Sequence, residues 1–253
     1  MRADKSERKP FTSVWTREPR RPKTSGLDRD QIVRAAIELL DHDGLEALSM
    51  RKLGAALGAG ATSLYWYVAN KDELLELALD EFWGGIGVPD PDEMHWRNVV
   101  TAFAYNMRIS SLAHPWGPSL IGMLPSVGPN AFRLTDRLRR AFLQAGLTGV
   151  DLYLANSTVL SFVLGQVLPE ITFRKSLGGG EYDQASTTEA LTRLAAEYPD
   201  LLDARAALEK LDPNAARAMA FDFGLTAVLD GIAAKLPQRS AQPQRSQRGR
   251  QQQ

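Results

Sequence analysis

The sequence predicts an all-α protein, and three observations lead there. Apolar residues recur three and four positions apart along most of the chain, which is the spacing of one face of a helix. No stretch alternates apolar and polar residues with the period of two that a half-buried strand requires. Glycine and proline gather between the periodic stretches, as at Gly84-Gly85 and His114-Pro115-Trp116-Gly117-Pro118, where they end one helix and free the chain to turn. The 253 residues are enough for one large or two small domains with an ample core.

Residues 1–26 form a basic arm of Arg, Lys, Pro, Ser and Thr, with Phe11, Val14 and Trp15 as its large apolar residues. Such a composition is expected to stay disordered without a partner, either as a solubilising tail or as an arm reaching phosphates or a minor groove. The first helix follows over residues 27–40, with Ile32, Val33, Ala36, Ile37 and Leu40 on one stripe and Asp28 and Asp30 suited to its first turn. Asp41-His42-Asp43-Gly44 ends it. Three successive turn residues point in different directions, so these polar groups read as solvated rather than as a metal or acid–base site.

Residues 45–72, LEALSMRKLGAALGAGATSLYWYVANKD, read as two short helices around a tight turn. Ser49 is a good N-cap, and Met50, Leu53 and Leu57 recur on one face, leaving Arg51 and Lys52 outside. Gly58-Ala59-Gly60 breaks the helix. A second short helix begins at Thr62 or Ser63, with Leu64 and Val68 inward and Thr62, Ser63, Tyr65, Trp66 and Tyr67 around the rest. Asn70 caps the next helix. Lys71 at its start opposes the macrodipole, which predicts an anionic partner such as phosphate. Helix, glycine turn and helix is the arrangement that sets a helix into a DNA major groove.

Leu74, Leu75, Ala78, Leu79 and Phe82 make the next periodic helix, and the segment GGIGVPDP at 84–91 is a boundary by composition. Beyond it come a helix over 96–112 carrying Val99, Val100, Phe103 and Met107, and a short apolar segment over 119–124. The helix over 129–144 places Arg133, Arg137, Arg139 and Arg140 outside Phe132, Leu134, Leu138 and Phe142, a solvated face rather than a nucleic-acid surface. Residues 150–168 are apolar nearly all round, and therefore expected to be buried on several sides. Asn156, Ser157, Thr158, Ser161 and Gln166 interrupt them, favouring a core or interface helix over a membrane span. A flexible loop over 177–185, short helices over 187–198 and 201–211, and a long helix over 213–236 with Phe221, Leu225, Val228, Leu229 and Ile232 as its seam complete the order. Residues 237–253 form a low-complexity tail expected to be disordered.

The formal net charge of zero hides a partition. Residues 1–29 carry nine Lys/Arg against four Asp/Glu, residues 237–253 carry four Arg and no acid, and the middle holds 17 basic against 26 acidic residues. Basic ends on an acidic body suit a protein that meets a polyanion at one end. The chain has no cysteine, which fits a reducing cytoplasm. The polar N-terminus predicts no secretory signal, and the lack of an uninterrupted apolar run of about 18 residues predicts no membrane partner. His42, His95 and His114 are far apart, with no paired-histidine zinc motif and no nucleophile elbow, so no catalytic residue, metal or cofactor is expected. The alternative to a sequence-reading regulator is an architectural protein that binds DNA through its basic ends, but that leaves the long apolar body without a purpose.

The run LSMRKLGAALGAGATSLYWYVANKDELLELALDE resembles the DNA-binding domain of the TetR family of bacterial repressors. It is most similar to the tetracycline-repressor branch, where a leucine-tyrosine-tryptophan triplet precedes an aromatic, a short turn and a lysine, here Leu64 to Lys71. The resemblance implies a helix-turn-helix domain with its linker helix over 27–84 and an effector-binding and dimerisation domain over 91–236. The linker helix would transmit the effector signal by its tilt. The implied protein is a cytoplasmic repressor that binds a palindromic operator as a homodimer and is released by a small molecule. The helices over 150–168 and 213–236 would pair with their copies as a four-helix interface, with Phe221, Leu225 and Ile232 in the seam. Double-stranded DNA would be met by Ser49, Arg51, Ala61, Thr62, Ser63, Tyr65, Tyr67 and Lys71, with Arg51 on a guanine, Lys71 on a phosphate and Trp66 packing as a brace. Met50, Ala61, Thr62 and Tyr67 depart from the repressor's residues, which implies a different operator. No histidine lies near Gly84-Gly85 or Leu120-Ile121-Gly122 to match the one used there for drug and magnesium. The implied effector is therefore a hydrophobic or aromatic compound in a pocket lined by some of Phe82, Phe103, Met107, Trp116, Met123 and Phe162, residues that equally fit a close-packed core.

Overall fold

The computed structural model describes residues 11–17, 27–176, 183–200, 202 and 211–236. The expectations for residues 1–10 and 18–26 of the arm, for most of the 177–185 loop, for most of the 201–211 helix and for the tail lie outside the described residues. Among those described there is no β-strand. The helices are α1 (Arg29–Asp43), α2 (Met50–Ala56), α3 (Ala61–Leu64), α4 (Lys71–Gly84), α5 (Trp96–Ala113), α6 (Trp116–Leu120), α7 (Pro129–Ala145), α8 (Val150–Ser176), α9 (Gln184–Leu194) and α10 (Pro213–Ala233).

The starts of the first helices follow from capping chemistry. The Asp28 carboxylate accepts the Gln31 N–H while the Gln31 side chain accepts the Asp28 N–H, a capping box that sets the start of α1. At α2 and α4 the Ser49 and Asn70 side-chain oxygens accept the N–H groups of Lys52 and Glu73. Ile32, Ala36, Leu53, Leu64, Val68 and Leu74 then meet in one core with none of their surface exposed. α4 leaves this core and runs into the second group of helices, where Phe103, Met107, Leu138, Phe142, Val163 and Phe221 are buried together.

Several expectations give way to tertiary contacts. Residues 11–17 of the arm are folded: Val14–Thr16 form a 3-10 turn, and Val14 is buried in the core because Glu76 of α4 takes the local N–H and O–H donors. α6 starts at Trp116 rather than 119, since Pro118 falls in its first turn, where a missing N–H removes no helical bond. α8 continues through Pro169 to Ser176 instead of ending at 168. Glu170, just beyond the proline, is buried and paired with Arg108 at 2.8 Å and Arg174 at 2.6 Å, which holds the helical path past the break.

Phe132 lies on the exposed side of α7, not in its core. The α7 arginines are bound within the chain: Arg137 donates to the Val88 carbonyl, Arg139 pairs with Asp136, and Arg140 with Asp90 and Asp92. α8 is also more open than its composition suggests. Tyr153 is 71% exposed, and Phe223 on the outer side of α10 is 81% exposed. By length and composition α8 is apolar enough to cross a membrane; its Ala155, Val159, Val163 and Val167 are buried in the protein core.

Candidate nucleic-acid interface and effector cavity

The α2–turn–α3 unit is built by a tight C-cap. The Ala59 N–H donates to the Gly54 carbonyl at 2.8 Å and the Gly58 N–H to the Ala55 carbonyl at 3.2 Å, the paired bonds of a Schellman motif. Gly58 has φ +62°, which glycine adopts without a Cβ clash. Gly60 does not need that freedom, at φ −67°. Gly54 matters for another reason: a Cβ there would stand 2.7 Å from the Ala59 carbonyl oxygen, so only glycine lets the turn fold back onto α2.

With Leu64 and Val68 fully buried beneath it, α3 presents Thr62, Ser63, Tyr65 and Trp66 on the outside, and Arg51 and Lys52 project from α2. Ala61 is half-buried at the start of α3, and Ser49 uses its hydroxyl as the α2 cap. Two aromatic expectations are reversed. Tyr67 is half-buried and its hydroxyl donates to the Leu27 carbonyl at 2.8 Å, so it braces the entry to α1 instead of joining the outward face. Trp66, expected to pack, is 55% exposed. Lys71 also has a partner in its own chain: Nζ donates one of its three N–H groups to the Leu45 carbonyl at 3.2 Å. Lys52 pairs with Asp43 at 2.9 Å, and this bond, with that from His42, holds the Asp43 carboxyl below its ordinary pKa.

α4 is fastened on both sides. Asp41 at the end of α1 accepts the Trp116 indole N–H at 2.6 Å and contacts His114 Nδ1 at 2.8 Å, tying the first three helices to the α5–α6 corner. Asp80 of α4 accepts the backbone N–H groups of Asn130 and Ala131 at 3.2 and 3.0 Å. The α7 N-cap is Gly128, which has no side chain to cap with, so a carboxylate from another helix does that work. A Cβ at Gly128 would lie 2.2 Å from Asp80 Oδ1.

A cavity of about 110 Å³ lies where α4, α5, α7 and α8 meet, lined by Trp83, Phe103, Leu134, Leu138 and Leu160 with Ser126, Thr135 and Asn156 as polar groups. The Trp83 indole N–H donates to Ser126 Oγ at 3.1 Å. Of the six residues expected to line a pocket, the structure places only Phe103 here. Phe82 and Trp116 pack edge-on at 6.0 Å, with Gly117 so close that a Cβ would meet the Phe82 ring at 2.6 Å. Met107 is fully buried, Phe162 packs at a tilt against Phe221 with ring centroids 5.4 Å apart, and Met123 is 72% exposed on the loop after α6. Sequence reasoning missed every other lining residue, among them Trp83, Thr135 and Asn156. The polar interruption of the apolar 150–168 stretch by Asn156 was the available signal.

The close-packed α2–turn–α3 unit with a polar and aromatic outer face defines a helix-turn-helix DNA-binding protein. Residues 32–78 match the family model described as bacterial regulatory proteins, tetR family, and residues 88–236 match that of the tetracyclin repressor-like C-terminal domain. The chain belongs to the TetR family of transcriptional regulators. It is 38% identical over 190 residues to an HTH-type transcriptional regulator of Saccharopolyspora erythraea, spanning 75% of this chain and 80% of that one. It is 31% identical over 230 residues to the HTH-type transcriptional repressor DrrR1 of Streptomyces coeruleorubidus, spanning 88% and 83%. Among solved structures, the Streptomyces coelicolor TetR family protein ActR in complex with actinorhodin is similar with a TM-score of 0.69 at 27% identity, over 83% of this chain and 98% of ActR. The resemblance drawn from the tyrosine-tryptophan block is thereby borne out, as is the all-α fold.

Proposed function

We propose that this protein is a cytoplasmic repressor that binds a palindromic operator as a homodimer and lets go when a small hydrophobic or aromatic effector enters the α4–α5–α7–α8 cavity. The observation that carries the reading is the outward face of α2 and α3. Arg51, Thr62, Ser63 and Tyr65 stand over the fully buried Leu53, Leu64 and Val68, so side chains able to read bases are held on a rigid base. Residues 27–84 are the DNA-binding domain with its linker helix, and residues 91–236 the effector and dimer domain. A second copy covers the outer side of α8 and α10. There, Tyr153, Leu154, Met219 and Phe223 are exposed beside an apolar groove lined by Leu147, Ala155, Val228 and Ile232. Such a patch on a soluble chain marks an interface.

The effector class follows from the cavity's aromatic and aliphatic walls with three hydroxyl or amide groups; that it takes a small molecule is supported by the similar ActR, solved in complex with actinorhodin. The cavity is small, so a polycyclic effector has to open it. The test is selection of duplexes from a random DNA library by the wild-type protein, followed by fluorescence anisotropy on the recovered palindrome with and without polyaromatic compounds. The reading requires one protein dimer per palindrome and release by at least one such compound; a monomer that retains no palindrome refutes it.

A further inference from the structure

Glu76 is a glutamate in the wrong place for a surface helix. It sits on α4 with 6% of its surface exposed, and apart from Asp80 the buried residues of that helix are apolar. A carboxylate so buried is costly unless its oxygens accept hydrogen bonds. Its partners come from far away in sequence: Oε2 accepts the Ser13 hydroxyl at 2.5 Å and the Val14 backbone N–H at 3.0 Å. One turn earlier on α4, Glu73 Oε2 pairs with Arg17 at 2.9 Å. The same oxygen accepts the N–H of Ala69, the residue leading from the recognition segment into the Asn70 cap, at 2.7 Å. On its other side, the segment places the Trp15 ring 5.5 Å from the guanidinium of Arg29, the first residue of α1. That guanidinium has a buried Nη2 with no hydrogen-bond partner among the described residues, and burial, then the neighbouring Arg17, lowers its pKa.

Residues 11–17 therefore cross from the start of α1 to the first two turns of α4. They touch the recognition segment through a two-step relay, from Arg17 to Glu73 and from Glu73 to the Ala69 amide. Nothing in the helix-turn-helix unit itself needs a buried glutamate at 76. The residue is accounted for only by the strap it holds. We propose that residues 11–17 are a strap that fixes the exit of the recognition helix for base reading, with Glu76 and Glu73 as positioning residues. The inference rests on the reading of α2 and α3 as the operator-binding face, and it gives the strap a part in specificity without any contact between the strap and DNA.

The test uses the full chain with Val14→Asp, which places a second carboxylate in the buried seat beside Glu76 and undocks the strap while leaving every arginine and lysine in place. Ser13→Thr, which keeps the hydroxyl and the cap, is the conservative control. Hydrogen exchange at the Ala69 amide reports the relay with no DNA present. It should accelerate about tenfold in Val14→Asp and stay at the wild-type rate in Ser13→Thr. On the palindrome selected by the wild-type protein, Val14→Asp should lose about tenfold in affinity, and on a scrambled duplex under twofold. A merely structural strap would lower the melting temperature and weaken both duplexes alike. Unchanged exchange at Ala69, or equal loss on both duplexes, overturns the proposal. A wild-type protein that selects no duplex removes the operator reading instead, and the exchange measurement still decides whether the strap holds the recognition segment.

Discussion

Replacing Asp80 by alanine tests how firmly α4 is tied to α7. Asp80 is 4% exposed and is the acceptor for two backbone donors in the first turn of α7, where Gly128 caps nothing and Pro129 has no N–H. The Ala131 N–H is buried, and leaving it unsatisfied costs about 1–3 kcal/mol. The Asn130 N–H is half-buried and can turn to water, so its loss adds less. The charge at the helix N-terminus contributes a further ~0.3–1 kcal/mol. Against these stands the relief of no longer burying a carboxylate. The balance is a loss of about 2 kcal/mol, or about 4–8 °C in melting temperature for a chain of this size. Asp80→Asn keeps one acceptor for the Ala131 N–H but turns a donor toward the other amide, and should lose about half as much. Urea unfolding followed by far-UV circular dichroism, at one protein concentration because a dimer's stability depends on it, measures both. A loss below about 0.5 kcal/mol in Asp80→Ala, with an unchanged slope, would mean that the α7 amides find other partners and that α4 and α7 are not coupled through this carboxylate.

The remaining expectations concern DNA, assembly and the cavity. Arg51→Ala should cost about 1–3 kcal/mol on the matched palindrome and relax one position per half-site, whereas Lys71→Ala, whose Nζ gives one of three donors to Leu45, should weaken every duplex alike and reduce the log–log salt slope by about 0.9 per subunit; anisotropy across a salt series separates them. Phe223→Asp should give folded monomers by light scattering, while Leu225→Glu should give insoluble chains, because Leu225 lies in the chain's own core and Phe223 does not. Leu160→Trp should fill the cavity and abolish effector release in the same anisotropy assay while leaving operator affinity within about twofold.

What was legible in the sequence was whatever local chemistry decides. Ser49, Asn70, Gly58 and the apolar stripes of α1, α2 and α4 act within a few residues of themselves, and their elements stand where capping and periodicity put them. The outward face of α3 was equally readable, because burial of Leu64 and Val68 dictates what is left outside. Long-range pairing was not. Nothing near Glu76 in sequence announces Ser13, 63 residues away, and the arm's composition alone argues for disorder. Tyr67 and Trp66 exchange their expected environments for the same reason: which ring turns inward depends on the distant Leu27 carbonyl. The apolar seam of α10 misled in another way. A helix carrying hydrophobic residues on two sides does not say which side meets its own chain, and Phe221, Leu225, Leu229 and Ile232 are the inner one.

The placement of carboxylates on α4 bears on how a signal could pass along it. Glu76 and Asp80 are both buried and four residues apart, a spacing at which like charges on one helix disfavour each other by a few tenths of a kcal/mol. Each is offset by partners from a different part of the chain, Glu76 by the strap and Asp80 by the α7 amides. Trp83, one turn further on, reaches Ser126 just before α7 and lines the cavity with it. On the proposed function, an effector in that cavity lies against the Trp83–Ser126 pair, and any shift there is one turn from the Asp80 clamp and two from Glu76. On that reading α4 would move as a unit, since its middle residues are closely packed. Reciprocity follows: whatever factor the effector removes from operator affinity, the operator must remove from effector affinity, and loosening Glu76 or Asp80 should shrink both factors together.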